Sequence, residues 1–131
     1  MEEIMNILDI GIDIIEIERI KKALVKRENF LKKLFTDKEI ELFESKGYKA
    51  ETIAGNFAAK EAVSKSLGLG IRGYDLKDIE VLRDELGKPI VKTHNNLDKI
   101  CKNQNVLEIK VSISHGKDYA IANAMTIIRE K

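Results

Sequence analysis

Glu61 and Lys65 stand four residues apart in FAAKEAVSKSLGLGI, the segment from Phe57 to Ile71, and at helical spacing an acid and a base so placed share one face. At about 100° per residue Ala54, Ala58 and Ala62 flank the pair, which is expected to leave room for a ligand, while Ile53, Phe57, Val63 and Leu67 form a separate apolar arc. The same spacing also describes an ordinary exposed pair worth about 0.2–0.5 kcal/mol to a helix. A second acidic site bears on the choice. Asp13 lies in ILDIGIDIIEI, from Ile7 to Ile17, a β-branched run that reads as a strand with Gly11 at a bend or close approach. Asp9 and Asp13 share strand parity with Gly11 and Ile15, so a regular strand puts all four on one face. A carboxylate there either faces water, as on a solvated edge strand, or has a cationic partner, a metal included. In the second case Glu61 is a candidate to share a metal with Asp13.

The elements that must position these groups follow from periodicity. One proline, Pro89, and eight glycines spread along 131 residues leave no linker or repeat, so a single domain over 1–131 is expected. A chain of this size hides roughly two thirds of the surface its unfolded form exposes, a modest margin that favours association. EIERIKKALVKRENFLKKLF carries apolar residues at 17, 20, 24, 31 and 34, a helical period. Thr36-Asp37-Lys38-Glu39 is a capping-box pattern that starts a second helix, running to about Lys46 and stopped by Gly47. A third helix is expected from Glu51 to Leu67, then a flexible turn at Gly68, Gly70 and Gly73. Strands over 78–83 and 90–93 flank a turn at 84–88, a short helix covers 95–102, and 107–115 with 119–128 form a hairpin. The class is α+β.

Composition narrows the function. The 23 basic and 22 acidic residues nearly cancel, and such a balance does not demand nucleic acid. Cys101 alone makes no intramolecular disulfide, and with His94 and His115 it builds no zinc cluster without carboxylates. No apolar run reaches the ~20 residues of a membrane span, and MEEIMNILD lacks the basic start of a signal peptide, so a cytoplasmic protein is expected. Charge is uneven, however. Seven basic and three acidic residues between Glu16 and Lys33 give that segment a net +4, with Arg19, Lys22 and Lys26 on one stripe away from Ile17, Ile20 and Leu24. The stripe is a solvated face or a docking surface for an acidic partner. Lys60 points to a different face from Glu61 and Lys65 and is the weaker phosphate candidate. His115 has the parity of Leu107, Ile109, Val111 and Ile113 and continues their apolar face, as a core residue or a ligand-binding group. Ser112 and Ser114 face the other way, with no histidine and acid to activate them.

GIDIIEIERI, FAAKEAVSKSLGLGI, DIEVLRDELGKPIV and VSISHGKDYAIA, in that order and at these intervals, resemble the four sequence blocks of the bacterial holo-[acyl-carrier-protein] synthases, from about Ile10 to Ala124. The resemblance implies a 4′-phosphopantetheinyl transferase-like fold, an antiparallel sheet with N-terminal helices assembling as a homotrimer with sites at subunit interfaces. It implies transfer of the 4′-phosphopantetheine group from coenzyme A to a serine of an apo acyl carrier protein, for fatty acid biosynthesis, with release of adenosine 3′,5′-bisphosphate. Breaking a pyrophosphate calls for a hard divalent cation, and Mg²⁺ usually takes one or two carboxylates. By resemblance Asp13 and Glu61 are those two ligands, Glu61 also holding the water that takes the serine proton, and Asp9 is left structural. Lys65 would neutralise the α- or β-phosphate as a compact charge. Lys88 and Pro89 would lie near the nucleotide, though they also suit a plain hairpin turn, His115 would reach the coenzyme from a neighbouring subunit, and Arg19 would contact the carrier. Position 56, often arginine in that family and suited there to the coenzyme's 3′-phosphate, is Asn56 here, and Lys46 or Lys49 is expected to take over. A competing class is a small adaptor whose basic helix binds acidic proteins or RNA; it has no need of Asp13, Glu61 and Lys65.

Overall fold

The computed structural model describes residues 4–26, 29–68 and 73–130, the side chain of Lys26 excepted. The isoleucine-rich N-terminal run forms strand β1 (Ile4–Glu16), with Gly11 and Ile15 buried and Ile10, Ile12 and Ile14 on the opposite, outer face. The stretch expected as one amphipathic helix carries α1 (Ile17–Lys26) and α2 (Asn29–Leu34), with positions 27 and 28 between them outside the described residues. Helix α3 (Asp37–Ser45) begins at the expected capping box, the Glu39 amide donating to the Thr36 hydroxyl at 3.2 Å and the Thr36 amide to the Glu39 carboxylate at 3.0 Å. Gly47 follows it at φ 71°, where a side chain would be strained.

Helix α4 (Ala50–Ser66) carries the central motif. A single 3-10 turn at Leu76–Asp78 then leads into the hairpin of β2 (Ile79–Arg83) and β3 (Pro89–Thr93), followed by α5 (Asn95–Asn103), β4 (Val106–His115) and β5 (Tyr119–Glu130). The α+β expectation holds: β1, β5 and β4 form one antiparallel sheet in that order, and β2–β3 a second. Cross-strand rows on the large sheet run Gly11–Ala124–Val111, Asp13–Ala122–Ile113 and Ile15–Ala120–His115.

Small residues decide how closely α4 lies on that sheet. A Cβ placed on Gly11 would stand 2.0 Å from the Ala62 carbonyl oxygen and 2.8 Å from the Lys65 Cβ, and one on Gly55 would stand 2.9 Å from Ile113 Cγ2. The close approach expected at Gly11 is therefore real. The expectation attached to the alanines is not: Ala54, Ala58 and Ala62 are fully buried, and they leave no room for a ligand. Alanine at these positions closes the helix onto the sheet, where Ala120, Ala122 and Ala124 of β5 are equally small and buried. The rest of the core includes Phe35, Phe43, Ile53, Val63, Ile79 and Val81, with the Phe35 and Phe43 rings edge to face at 4.9 Å. No helix among the described residues is long and apolar enough to cross a membrane.

Candidate active site

Asp13 and Lys65 meet where β1 passes under the last turn of α4. The Lys65 ammonium lies 3.3 Å from the Asp13 carboxylate and donates to the Ile12 carbonyl at 2.9 Å. The i, i+4 spacing put Lys65 beside Glu61, yet its ion pair is made across to the strand. Glu61, one turn back, is half-buried. Burial raises its carboxyl above the ordinary value, the Asp13 charge raises it further, and Lys65 draws it back only in part. Two carboxylates thus repel each other across the helix–sheet junction, and a divalent cation there would relieve that repulsion. The donor set fits such an ion: two hard oxygen ligands, with no cluster of three or more His, Cys, Asp or Glu among the described residues to supply more. The remaining ligands would be phosphate oxygens and waters.

The other expected residues divide. Asp9 is exposed beyond a register shift between Ile7 and Asp9, its carboxylate accepting from the Ile10 amide, so it stays structural. His115 corrects one expectation: it keeps the parity of Val111 and Ile113 but is exposed, at the end of its strand, and is not a core residue. It lies two strands across and two residues along from Asp13, roughly 12 Å by strand geometry, and does not join the pair within one subunit. A register shift between Val106 and Glu108 also removes Leu107 from the inner face. Lys88 is exposed in the β2–β3 turn, its amide donating to Asp84 at 2.9 Å, and Pro89 opens β3. Lys46 and Lys49 are exposed at the end of α3 and the start of α4, and Lys49 is about 18 Å along the helix from Glu61. Arg19 and Lys22 are exposed on α1; the side chain of Lys26 lies outside the described residues, as does Gly70.

Lys60 and Asn56 belong to a buried network. The Lys60 ammonium, fully buried, is 2.7 Å from the equally buried Glu39 carboxylate, donates to the carbonyls of Ile79 and Leu76, and stands 5.1 Å from the centre of the Phe35 ring. Burial raises Glu39 and lowers Lys60, each opposed by the other's charge. Asn56 donates to the Val81 carbonyl at 2.8 Å and to Glu39 at 3.3 Å, and accepts from the Arg83 guanidinium at 2.8 Å. The sequence carries no signal for this cluster, since the capping box alone already accounts for an acid at Glu39. A third polar cluster joins the starts of α3 and α5, where Glu80 accepts from the Thr36 hydroxyl at 2.6 Å and lies 3.0 Å from His94 Nε2. It borders a cavity of about 510 Å³ that neither Asp13, Glu61 nor Lys65 lines.

An α+β fold with a repelling carboxylate pair and a lysine at a helix–strand crossing defines a class: residues 9–124 match the 4′-phosphopantetheinyl transferase superfamily, and the chain belongs to it. Within that superfamily its similarities are to holo-[acyl-carrier-protein] synthases. The synthase of Clostridium botulinum (strain Eklund 17B) is 59% identical over 116 residues, covering 88% of this chain and 94% of that protein. One from Clostridium perfringens is 56% identical over 120 residues, covering 88% and 90%. Among solved structures, the Neisseria meningitidis synthase superposes with a TM-score of 0.84 at 31% identity, covering 96% of this chain and all of that one. The Helicobacter pylori synthase, solved in complex with coenzyme A, gives 0.77 at 35% identity over 89% and 98%.

Proposed function

We propose that this chain transfers the 4′-phosphopantetheine group of coenzyme A to a serine of an apo acyl carrier protein, making the holo carrier for fatty acid biosynthesis. The observation that carries the proposal is the ion pair of Lys65 with Asp13 at 3.3 Å, one helical turn from the half-buried Glu61, a set which a carrier-binding adaptor would have no reason to keep. The serine oxygen bonds to the β-phosphorus, the bond from that phosphorus to the bridging oxygen breaks, and adenosine 3′,5′-bisphosphate leaves. Asp13 and Glu61 would hold Mg²⁺, which when bound supplies charge neutralisation to the pyrophosphate. Glu61 also orients a water that takes the serine proton. The Lys65 ammonium, half-exposed and already directed at the strand, meets the charge growing on the leaving phosphate.

The remaining roles extend the same reading. Lys88 and Pro89 border the nucleotide, and Lys46 or Lys49 reads its 3′-phosphate; the guanidinium of Arg83, held on Asn56 about 8 Å along the helix from Glu61, is a nearer second candidate. Arg19, Lys22 and Lys26 receive the acidic carrier. Ile10, Ile12 and Ile14, each more than half exposed, lie beside exposed Tyr119 and Ile121 on the outer face of the sheet. Such a face suits burial against further copies of the chain, and a homotrimer would let His115 reach a neighbour's coenzyme. The protein would work in the cytoplasm. Incubation with an apo carrier, coenzyme A and Mg²⁺, read by mass spectrometry, tests the reaction: a phosphopantetheine mass increase on the carrier is expected, and no increase with any acidic carrier would favour the adaptor.

A further inference from the structure

We propose that the buried Glu39–Lys60 pair is a positioning device, which fixes the rotation of α4 about its axis and thereby the placing of Glu61 and Lys65 against Asp13. This rests on the site reading given above and deepens it.

The sheet-facing side of α4 cannot set that rotation well by itself. It presents small residues, Gly55 against Ile113 of β4 and Ala62 against Gly11 of β1, with Ala58 and Ala59 also buried, surfaces that allow close approach but interlock little. Its directional side-chain bonds to the sheet, among the described residues, fall in its last turn: Ser66 to Thr126 at 2.7 Å, and the half-exposed Lys65 to the Ile12 carbonyl at 2.9 Å and to Asp13 at 3.3 Å. The far side is built differently. Lys60 is held by Glu39 of α3 at 2.7 Å and by the carbonyls of Leu76 and Ile79, and Asn56, one turn earlier, by Glu39 and the Val81 carbonyl. These partners come from α3, the 3-10 turn and β2, so a turn of the helix in either direction breaks directional bonds to three separate elements.

Lys60 and Glu61 are consecutive, and whatever fixes one fixes the start of the other. Turning the helix by about 10° would carry a carboxylate roughly 6 Å from its axis by about 1 Å. A displacement of that size at a reacting group costs up to about a hundredfold in rate. Burying two charges is a costly way to obtain stability alone, since apolar residues of the same volume often do as well. Directional indexing is what the apolar substitute would lack.

The experiment uses Lys60→Met combined with Glu39→Gln, which removes both charges while keeping volume and one acceptor. Glu39→Asp, which keeps the charges but shortens the reach, is the second variant should the first lose its helical circular dichroism. Mn²⁺ affinity of the coenzyme-free protein, by electron paramagnetic resonance with Mg²⁺ competition, is measured beside kcat, the KM of each substrate and the melting temperature. A folded variant is expected to lose about fivefold or more in Mn²⁺ affinity and about ten- to hundredfold in kcat, with the carrier KM unchanged. Wild-type Mn²⁺ affinity and kcat in a folded variant would overturn the proposal, whatever the melting temperature. Mn²⁺ binding by the wild-type chain that Asp13→Asn leaves untouched would overturn the site reading instead, and the two failures are distinguishable.

Discussion

Helix α4 carries two lysines that each pair with an acid from another element, and the two pairs are opposites. Lys60 and Glu39 are fully buried at 2.7 Å, the carboxylate oxygen that meets Lys60 also accepting from the Thr36 amide and the other accepting from Asn56 and the Val81 amide. Lys65 and Asp13 are 3.3 Å apart, with the lysine side chain 55% exposed and a second carboxylate, Glu61, pressing on the first. The buried pair is saturated, so it has nothing left to offer a ligand. The open pair is under-neutralised, and on the proposed reading a cation or phosphate would complete it. Saturation, more than residue type, separates a structural pair from a working one on the same helix.

Breaking the buried pair should have the largest effect on the fold. Lys60→Met alone leaves Glu39 uncompensated and is expected to cost about 3–5 kcal/mol, seen as a large fall in the denaturant midpoint. Breaking the open pair should do the reverse. Asp13→Asn or Glu61→Gln is expected to lower carrier modification by about a hundredfold or more while stability stays within roughly 1 kcal/mol of wild type. Near-normal turnover of either variant at limiting Mg²⁺ would remove that residue from the site. The basic face of α1 sharpens the contrast at a distance. Reversing Arg19 and Lys22 to Glu should raise the carrier KM severalfold, leave the coenzyme KM unchanged and blunt the salt sensitivity of carrier binding. An unchanged carrier KM at two salt concentrations would show α1 to be merely solvated.

The smallest expected effect concerns pH. Burial raises the Glu80 carboxyl, but the Thr36 hydroxyl and the His94 ring outweigh it and hold it below its ordinary 4.5. A carboxyl depressed on folding adds stability that is present above 4.5 and is lost as pH falls through the lowered value. His94→Ala should therefore move the acid-unfolding midpoint upward by a few tenths of a pH unit, and an unmoved midpoint would show that His94 contributes nothing to holding Glu80 ionised.

Local signals made most of the framework legible. The Thr36–Glu39 box and the glycine after α3 each report on a few neighbouring residues, and the element they mark is present. Asp13, Glu61 and Lys65 were singled out by spacing and by the cost of a carboxylate in an apolar strand, and the fold brings them together. What spacing could not reveal was which alanines were spacers and which were core, because an alanine beside a cavity and one beneath a sheet have the same periodicity. Nor could it pair Glu39 with Lys60, 21 residues away, or Asn56 with Arg83, since neither pair leaves a local trace. His115 shows the limit of parity: it tells the face correctly and says nothing about burial at the end of the strand.

Among the described residues strand β1 has a single neighbour in its sheet, β5, so the strand partner of Asp13 is Ala122, more than a hundred residues further along the chain. During synthesis the helix bearing Glu61 and Lys65 leaves the ribosome long before the strand that seats Asp13 beneath them. The nascent chain therefore has no assembled centre, and pairing so distant in sequence is slow relative to helix formation. A chain cut short before Tyr119 would keep all three chemical groups and lack the strand that pairs with β1 beneath them.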